Sequence, residues 1–460
     1  MYVRGHKKDY DEWKSQGNSG WGYEDVLPLF KHSESFKSVG DFGYHGTNGY
    51  LSVNVIKSNH AQVEAFIEAN KELRIPEIDY NGKQQIGVGR TQTNTINGRR
   101  HSVGKAFLQL ARNRTNLRVE SNSLVTKILI KSSKKRAYGV LYMKNSVPYK
   151  VKCRKEVIIS AGSINSPQLL MLSGIGPKSH LKKIGIPVTK DLSVGCNLQD
   201  HPAYFDLIFE TNHTEPEITL RENIRNYLNG FGRLTIGGNV NALAFFHTDS
   251  TNLSESPEIE IIMIPSDISN PYLKNAHRYT SESFDAIWSK VKSSKSFTIV
   301  MVLMHPKSRG TVKLKSSSPF ESPLIDLNFF SDNEETDIEV MYQGIQRTLK
   351  LLETKAFKKL NASLVYNPLP ACKHHQYLSK KYWYCQIRQL TTTLYHPVGT
   401  CKMGPDPNKG AVVNSKLQVH GVCNLRIADA SIIPVQTSGH TNAAAIMIGE
   451  KLSQLILNKQ

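Results

Sequence analysis

No stretch of this chain stays apolar for anything near the roughly 18 residues that a membrane-spanning helix needs. The longest candidates, FTIVMVLM at 297–304 and IEIIMIP at 259–265, have the length of strands, so no membrane span is expected. Acidic residues are few: 39 Asp and Glu stand against 58 Lys and Arg, a formal charge of +19 with a pI near 9.5. Such an excess would favour an anionic partner such as nucleic acid. Its densest clusters, however, are KSSKKR at 131–136 and KVKCRK at 150–155, which flank a predicted hairpin and belong to no nucleic-acid fold motif. Solvated basic faces are the plainer reading, and no nucleic-acid partner is expected. Cysteine is scarce as well. The six, at 153, 196, 372, 385, 401 and 423, form no CxxC pair and exclude a small disulfide scaffold without fixing a compartment. The opening MYVRGHKKDYDEW carries charge from Arg4 onward and has no apolar core, so it is not a signal peptide. Four N-x-S/T sequons, at Asn113, Asn212, Asn252 and Asn361, permit secretion of a longer form without requiring it. Two motifs are also missing: the G-x-G-x-x-G of a dinucleotide loop and the G-x-S-x-G of a hydrolase elbow.

What remains is ordinary globular material, 460 residues at 39% hydrophobic and 21% charged, enough for two or three domain cores. EDVLPLFKHSESF places Val26, Leu27 and Phe30 on one helical face, and AQVEAFIEANKEL at 61–73 does the same with Val63, Phe66, Ile67 and Asn70. After a helical HSVGKAFLQLAR at 101–112, the pattern turns to alternation in NLRVESNSLVTKILI, AYGVLYMK and YKVKCRKEVIISAG, a β-meander. Its last strand, EVIISAG, reads as one covered on both faces, as in a parallel sheet. INSPQLLMLSGIG follows as a helix with Leu169, Leu170 and Leu172 inside and Gly174 as its stop. From about 200 to 395, FDLIFE, ALAFFH, EIEIIMI and SFTIVMVLM predict an antiparallel sheet, and the polar stretch from Asp267 to Ser293 predicts a mobile surface segment.

The chemistry concentrates at the end. SGHTNAAAIMIGEKLSQLIL predicts a loop running into a helix with Ile448, Leu452, Leu455 and Ile456 as its apolar stripe, so Thr441 and Asn442 stand at the helix N-terminus. Free backbone N–H groups there favour negative charge, and His440 immediately precedes them. NLRIADASIIP predicts a strand ending at Asp429 and Ala430, and ligands of doubly wound sheets lie beyond such strand ends. His396, between Tyr395 and Pro397 in a turn-rich segment, is placed to be fixed over a pocket. An imidazole with a near-neutral pKa suits removal of a hydroxyl proton. Taken singly, each histidine reads more readily as a hydrogen-bonded core or capping residue, and as a metal pair they lack a third ligand at suitable spacing.

Their joint context decides. YHPVGTCKMGP around His396, SGHTN around His440, AGSINSPQLLMLSGIGP at 161–177, VGCNLQDHP at 194–202, the first 34 residues and HPKSRGTVKLKSSSP at 305–319 together resemble the glucose-methanol-choline (GMC) oxidoreductase family, and within it the animal glucose-dehydrogenase branch. The resemblance implies an α/β fold of mixed type: an FAD-binding domain of discontinuous segments with a truncated parallel sheet, and a substrate domain on a largely antiparallel sheet. It implies segments at 1–199, 200–303 and 304–455, with catalytic histidines and FAD contacts from about 394. It implies FAD as cofactor, an alcohol or sugar as substrate, and a quinone or oxygen as electron acceptor. It implies that His396 and His440 form the acid/base pair, and that Val125, in SLVTKI, meets the adenine while Asp429, Ala430, Thr441 and Asn442 contact the rest of FAD.

The front departs from that pattern, because relatives carry a βαβ unit with the glycine-rich loop before the segment that opens this chain. The expectation is a truncated polypeptide that, expressed alone, aggregates or binds FAD poorly through open sheet edges. A cofactor-free binding protein or inactive relic is the alternative reading.

Overall fold

A computed structural model describes all residues except 59, 215, 217, 249–252, 267–270, 459 and 460. The sequon at Asn252 and the first four residues of the stretch predicted to be mobile lie outside the described residues. The remainder of that stretch is ordered: Pro271–His277 and Ser281–Trp288 are helices, the second capped by Thr280 and closed by a buried Trp288. Its charges stand on the outer face of two short helices, which is why no long period announced them.

The middle of the chain folds into the expected antiparallel sheet. Its strands run in the order Ser363–Leu364, Pro202–Glu210, Ser296–Leu303, Ile259–Ile264, Ala242–Phe246 and Gly87–Arg90, and Thr392–Thr393 pairs with the start of Pro202–Glu210. Alternation sorts the side chains between two faces. Ile259, Ile261, Met263, Ile299, Met301, Ala242 and Ala244 share a core with helices Ala61–Glu72, Thr336–Leu349 and Lys380–Leu390. Ile262, Ile264, Val300, Val302, Leu243 and Phe245 form the opposite core with Val3 and Tyr80. Glu260, of the same parity as Ile262 and Ile264, therefore belongs to this second face despite being a buried carboxylate.

The remaining core joins the two ends of the chain. The meander forms as Ser123–Lys131, Arg136–Lys144 and Val147–Lys152. Beside it, Val157–Ile159 pairs in parallel with Leu425–Ile427, a sheet of only two strands. The reading of EVIISAG as covered on both faces is corrected here: Ile158 is 40% exposed, because no described element lies over its side of the pair. The helix Gly162–Leu172 follows and ends at Gly174 with φ +83°, but the residues it buries in the hydrophobic core are Leu170, Met171 and Leu172, with Leu169 only partly covered. Likewise Leu29, not Leu27, is the fully buried partner of Val26 and Phe30 in the helix Tyr23–Ser33, which contains Pro28.

The terminal helix Thr441–Leu457 buries Ala443, Ala444, Met447, Ile448 and Leu452 in this core. The indoles lock the first turns of the chain to its last segments: Trp13 Nε1 donates to the Val435 carbonyl at 2.9 Å and Trp21 Nε1 to that of Ser415 at 2.9 Å. Beneath them lies a buried charge network. The Arg4 guanidinium, 1% exposed, donates to Glu34 at 2.7 Å and to the Tyr44 carbonyl at 2.6 Å. His45, stacked on Phe36 at 3.8 Å between ring centroids, bridges Glu34 at 3.1 Å and Asp79 at 2.7 Å. Cys372 and Cys385 form a disulfide across 13 residues, while Cys153, Cys196, Cys401 and Cys423 are free. No helix among the described residues is long and apolar enough to cross a membrane.

Candidate active site

Two histidines far apart from a third in sequence meet where the antiparallel sheet touches the terminal helix. The rings of His396 and His440 stand 4.7 Å apart between centroids. His440 is the residue before the first turn of Thr441–Leu457, and no side chain caps that turn. Its Nε2 lies 3.0 Å from one oxygen of Glu260 and 3.1 Å from the other, and both residues are buried. The carboxylate thus holds the ring in one orientation, with Nε2 as the donor. The backbone is fixed too: His440 N donates to the Val3 carbonyl at 3.0 Å.

That last contact needs glycine. A Cβ on Gly439 would stand 2.6 Å from the Gly5 nitrogen and 2.7 Å from the Val3 carbonyl oxygen, and Gly5 itself has φ +97°. Backbone atoms cannot swing aside, so Gly439→Ala must push His440 off Glu260. We expect this variant to lose about 10²-fold in any catalytic rate that depends on the placement of His440, the scale of a displacement near 1 Å at a reacting group. Anaerobic rapid mixing checks it; an unchanged rate would show that His440 tolerates the shift.

His396 follows Tyr395, a non-glycine residue at φ +62°, and such strain is held only where surrounding contacts over-determine it. Those contacts are present. Tyr395 N donates to Thr393 Oγ1 at 2.7 Å, and its hydroxyl donates to the Ala276 carbonyl at 2.9 Å. His396 N donates to Asp200 Oδ1 at 2.9 Å, and the His396 carbonyl accepts from Gln436 Nε2 at 2.9 Å. Nδ1 of the His396 ring lies 3.0 Å from Nδ1 of His201. Its Nε2 makes no hydrogen bond among the described residues. Phe205, His277 and Tyr279 continue the aromatic wall, His277 lying 4.6 Å from Phe205 and 5.7 Å from Tyr279.

Burial sets the protonation here. It drives His396 well below the ordinary imidazole value of 6.5, helped by the neighbouring His440 and His201. It drives His201 down to about 3, again with His440 contributing, and pushes the Asp200 carboxyl up to about 6. His396 is therefore a neutral base across the physiological range.

The other residues singled out from sequence fall into two places. Thr441 and Asn442 sit in the first turn beside His440, where Asn442 Nδ2 donates to Asn94 Oδ1 at 2.9 Å. Asp429 closes the parallel pair: its carboxylate, 8% exposed, accepts from Gly162 N at 3.0 Å, Ser166 Oγ at 2.5 Å and Ser431 N at 2.8 Å. Ala430 joins this corner to the His396 segment, its carbonyl accepting from Gly399 N at 3.4 Å. Val125 lies on the meander, 37% exposed and paired with Tyr142, and makes no contact with the histidines. Sequence reasoning missed Glu260, Asp200, His201 and Gln436. A charged residue inside the otherwise apolar IEIIMI strand was the signal for Glu260, and the adjacent Asp and His of LQDHP were the signal for the other pair.

The family profile described as GMC oxidoreductase matches residues 1–203 with its N-terminal part and 306–449 with its C-terminal part. Glucose dehydrogenase [FAD, quinone] of Drosophila pseudoobscura pseudoobscura is 35% identical over 460 aligned residues, 99% of this chain and 72% of that protein. Choline dehydrogenase, mitochondrial, of Homo sapiens is 36% identical over 465, covering 99% and 73%. Among solved structures, pyridoxine 4-oxidase from Mesorbium loti superposes with a TM-score of 0.83 at 26% identity, covering 99% of this chain and 82% of that one.

Proposed function

The chain belongs to the GMC oxidoreductase family, and from that membership we propose that it oxidises the CH–OH group of an alcohol or sugar with FAD as cofactor and His396 and His440 as the acid/base pair. The observation that carries the reading is the meeting of a buried neutral imidazole, His396, with the ring of His440 at a helix N-terminus that no side chain caps. Such a turn stabilises negative charge, which a reduced flavin bears.

The residues present fit the cofactor at the ring end and along the parallel pair. A Cβ on Gly162, at φ +82°, would meet nothing within 4 Å, so the corner beyond Ile159 is open to a ligand. Ile158 and Val125 present apolar surface on that side. Thr441 and Asn442 would hold the ring end, Asp429 and Ala430 the middle, and Val125 the adenine. When bound, FAD supplies the acceptor for the hydride that leaves the carbinol carbon.

The chain's own residues manage the proton. His396 Nε2, the ring nitrogen that no described residue engages, takes the hydroxyl proton as hydride departs. General-base assistance of this kind contributes about 10²- to 10⁴-fold. His440, held by Glu260, orients the hydroxyl from the other side. A quinone or oxygen then serves as electron acceptor, and the Cys372–Cys385 disulfide favours an oxidising compartment.

The test is anaerobic mixing of the FAD-loaded protein with a panel of aliphatic alcohols, sugars and choline, following loss of flavin absorbance near its visible maximum. At least one alcohol or sugar should bleach the flavin. A stable yellow protein that none of them bleaches would refute the reading.

A further inference from the structure

We infer that His201 is a positioning residue for this reaction: its ring fixes the tautomer of His396 so that Nε2, not Nδ1, is left bare to take the hydroxyl proton. The inference rests on the reading of His396 as the base.

His201 Nε2 lies 3.0 Å from the Thr437 carbonyl oxygen, and the Met304 backbone also hydrogen-bonds this ring. A carbonyl oxygen only accepts, so Nε2 of His201 must carry a proton. His201 is fully buried, and burial together with neighbouring His440 keeps it from binding a second proton. Nδ1 of His201 therefore presents a lone pair. It stands 3.0 Å from Nδ1 of His396, and two lone pairs cannot share that distance, so the proton between them belongs to His396. His396 is neutral and holds one proton in all. With that proton on Nδ1, Nε2 is the basic nitrogen.

The reverse arrangement is excluded by the same geometry. A proton on Nδ1 of His201 would leave its Nε2 lone pair against the Thr437 carbonyl oxygen inside the protein, an uncompensated buried contact.

Asp200 makes the pairing possible. Its Oδ1 accepts from His201 N at 2.8 Å and from His396 N at 2.9 Å, and its Oδ2 accepts from the Thr393 hydroxyl. One carboxyl thus holds both backbones, and the rings meet edge to face, 82° apart and 5.2 Å between centroids. His201 comes immediately before the strand Pro202–Glu210 and shares the parity of Ala203, which places it on the same sheet face as Glu260. The groups facing His396 are then His201, His440 with Glu260 behind it, Asp200 and the Met1 amino group, whose charge also lowers its pKa. Two adjacent residues of LQDHP do separate work: Asp200 places the base and His201 orients its lone pair.

The test uses the FAD-loaded protein and two variants. His201→Leu keeps bulk and removes the acceptor. His201→Asn puts Oδ1 close to where Nδ1 stood. In the leucine variant the limiting rate of anaerobic flavin reduction should fall about 10²-fold, the low end of what a general base contributes, with the substrate dissociation constant little changed. Asparagine should restore most of the loss, which mere filling of space would not do. A second measurement does not depend on activity or on the variants folding. Long-range ¹⁵N–¹H correlation of the histidine rings in the unsubstituted protein should show His396 as the Nδ1–H tautomer and His201 as Nε2–H. An Nε2–H signal for His396, or a leucine variant reduced at the original rate, overturns the proposal. If His396→Ala is reduced as fast as the parent while the spectrum shows these tautomers, the base assignment falls and the hydrogen-bond assignment stands.

Discussion

Replacing His396 by alanine should lower the rate of substrate-dependent flavin reduction by about 10²- to 10⁴-fold, because the variant loses the proposed general base itself. Binding of the cofactor should persist, since no protein contact to the parallel pair passes through the imidazole. Stopped-flow reduction under anaerobic conditions measures the effect, and the flavin spectrum of the variant checks that the cofactor is still held. A rate within threefold of the parent would remove His396 from the chemistry. The pH dependence has a defined sign. Burial, His440 and His201 hold His396 well below 6.5, so the base stays competent as pH falls from 8 through 6.5, and the acid limb of the reduction rate lies lower. Stability behaves differently. Once the pH drops below 6.5 the unfolded chain protonates histidines that the fold keeps neutral, such as His201 at about 3, so the fold loses stability from that point downward. Asp200, raised from 3.8 to about 6, opposes this trend, since its folded form keeps a proton that the unfolded chain has released.

Glu34→Ala should destabilise the protein by about 3–5 kcal/mol, the largest effect expected of a residue outside the site. It strands the Arg4 guanidinium, 1% exposed, without its counterion, and it takes from His45 one of two carboxylates. Thermal or denaturant unfolding against the parent measures the loss, and no change would show that water reaches Arg4. Replacing Arg4 and Glu34 together by methionine and leucine should recover much of it, because the cost lies in leaving one charge unpaired. The network also has a pH window. Burial would depress His45, but hydrogen bonds to Asp79 and Glu34, and their charges, outweigh it and raise its pKa. Its contribution is complete below 6.5 and is lost as pH rises through the raised value. Asp79 works at the other end: against burial, His45 lowers it to about 2, so its contribution holds above 3.8 and fades as pH falls towards 2.

Much of this molecule could be read in its chain. The central strands announced themselves by apolar runs, the helices at 61–72 and 441–457 by their stripes, and the two tail histidines by their motifs. Errors came where a neighbour far away in sequence decides burial. Ile158 sits in a strand of the right composition, yet its exposure depends on what covers the pair. The stretch after 270 looked structureless because Phe284 and Trp288, besides facing each other, join a core whose other members lie far along the chain.

The sequence by itself determined most of the elements and the family, and it singled out the two histidines, because period and local motif are properties of adjacent residues. Only the tertiary structure decided how those histidines are set. Glu260 meets His440 across 180 positions and His201 meets His396 across 195, and each contact exists because sheet alternation and chain crossing bring together residues with no local reason to be near. The protonation of the site follows from those contacts and from burial, neither of which a linear pattern carries.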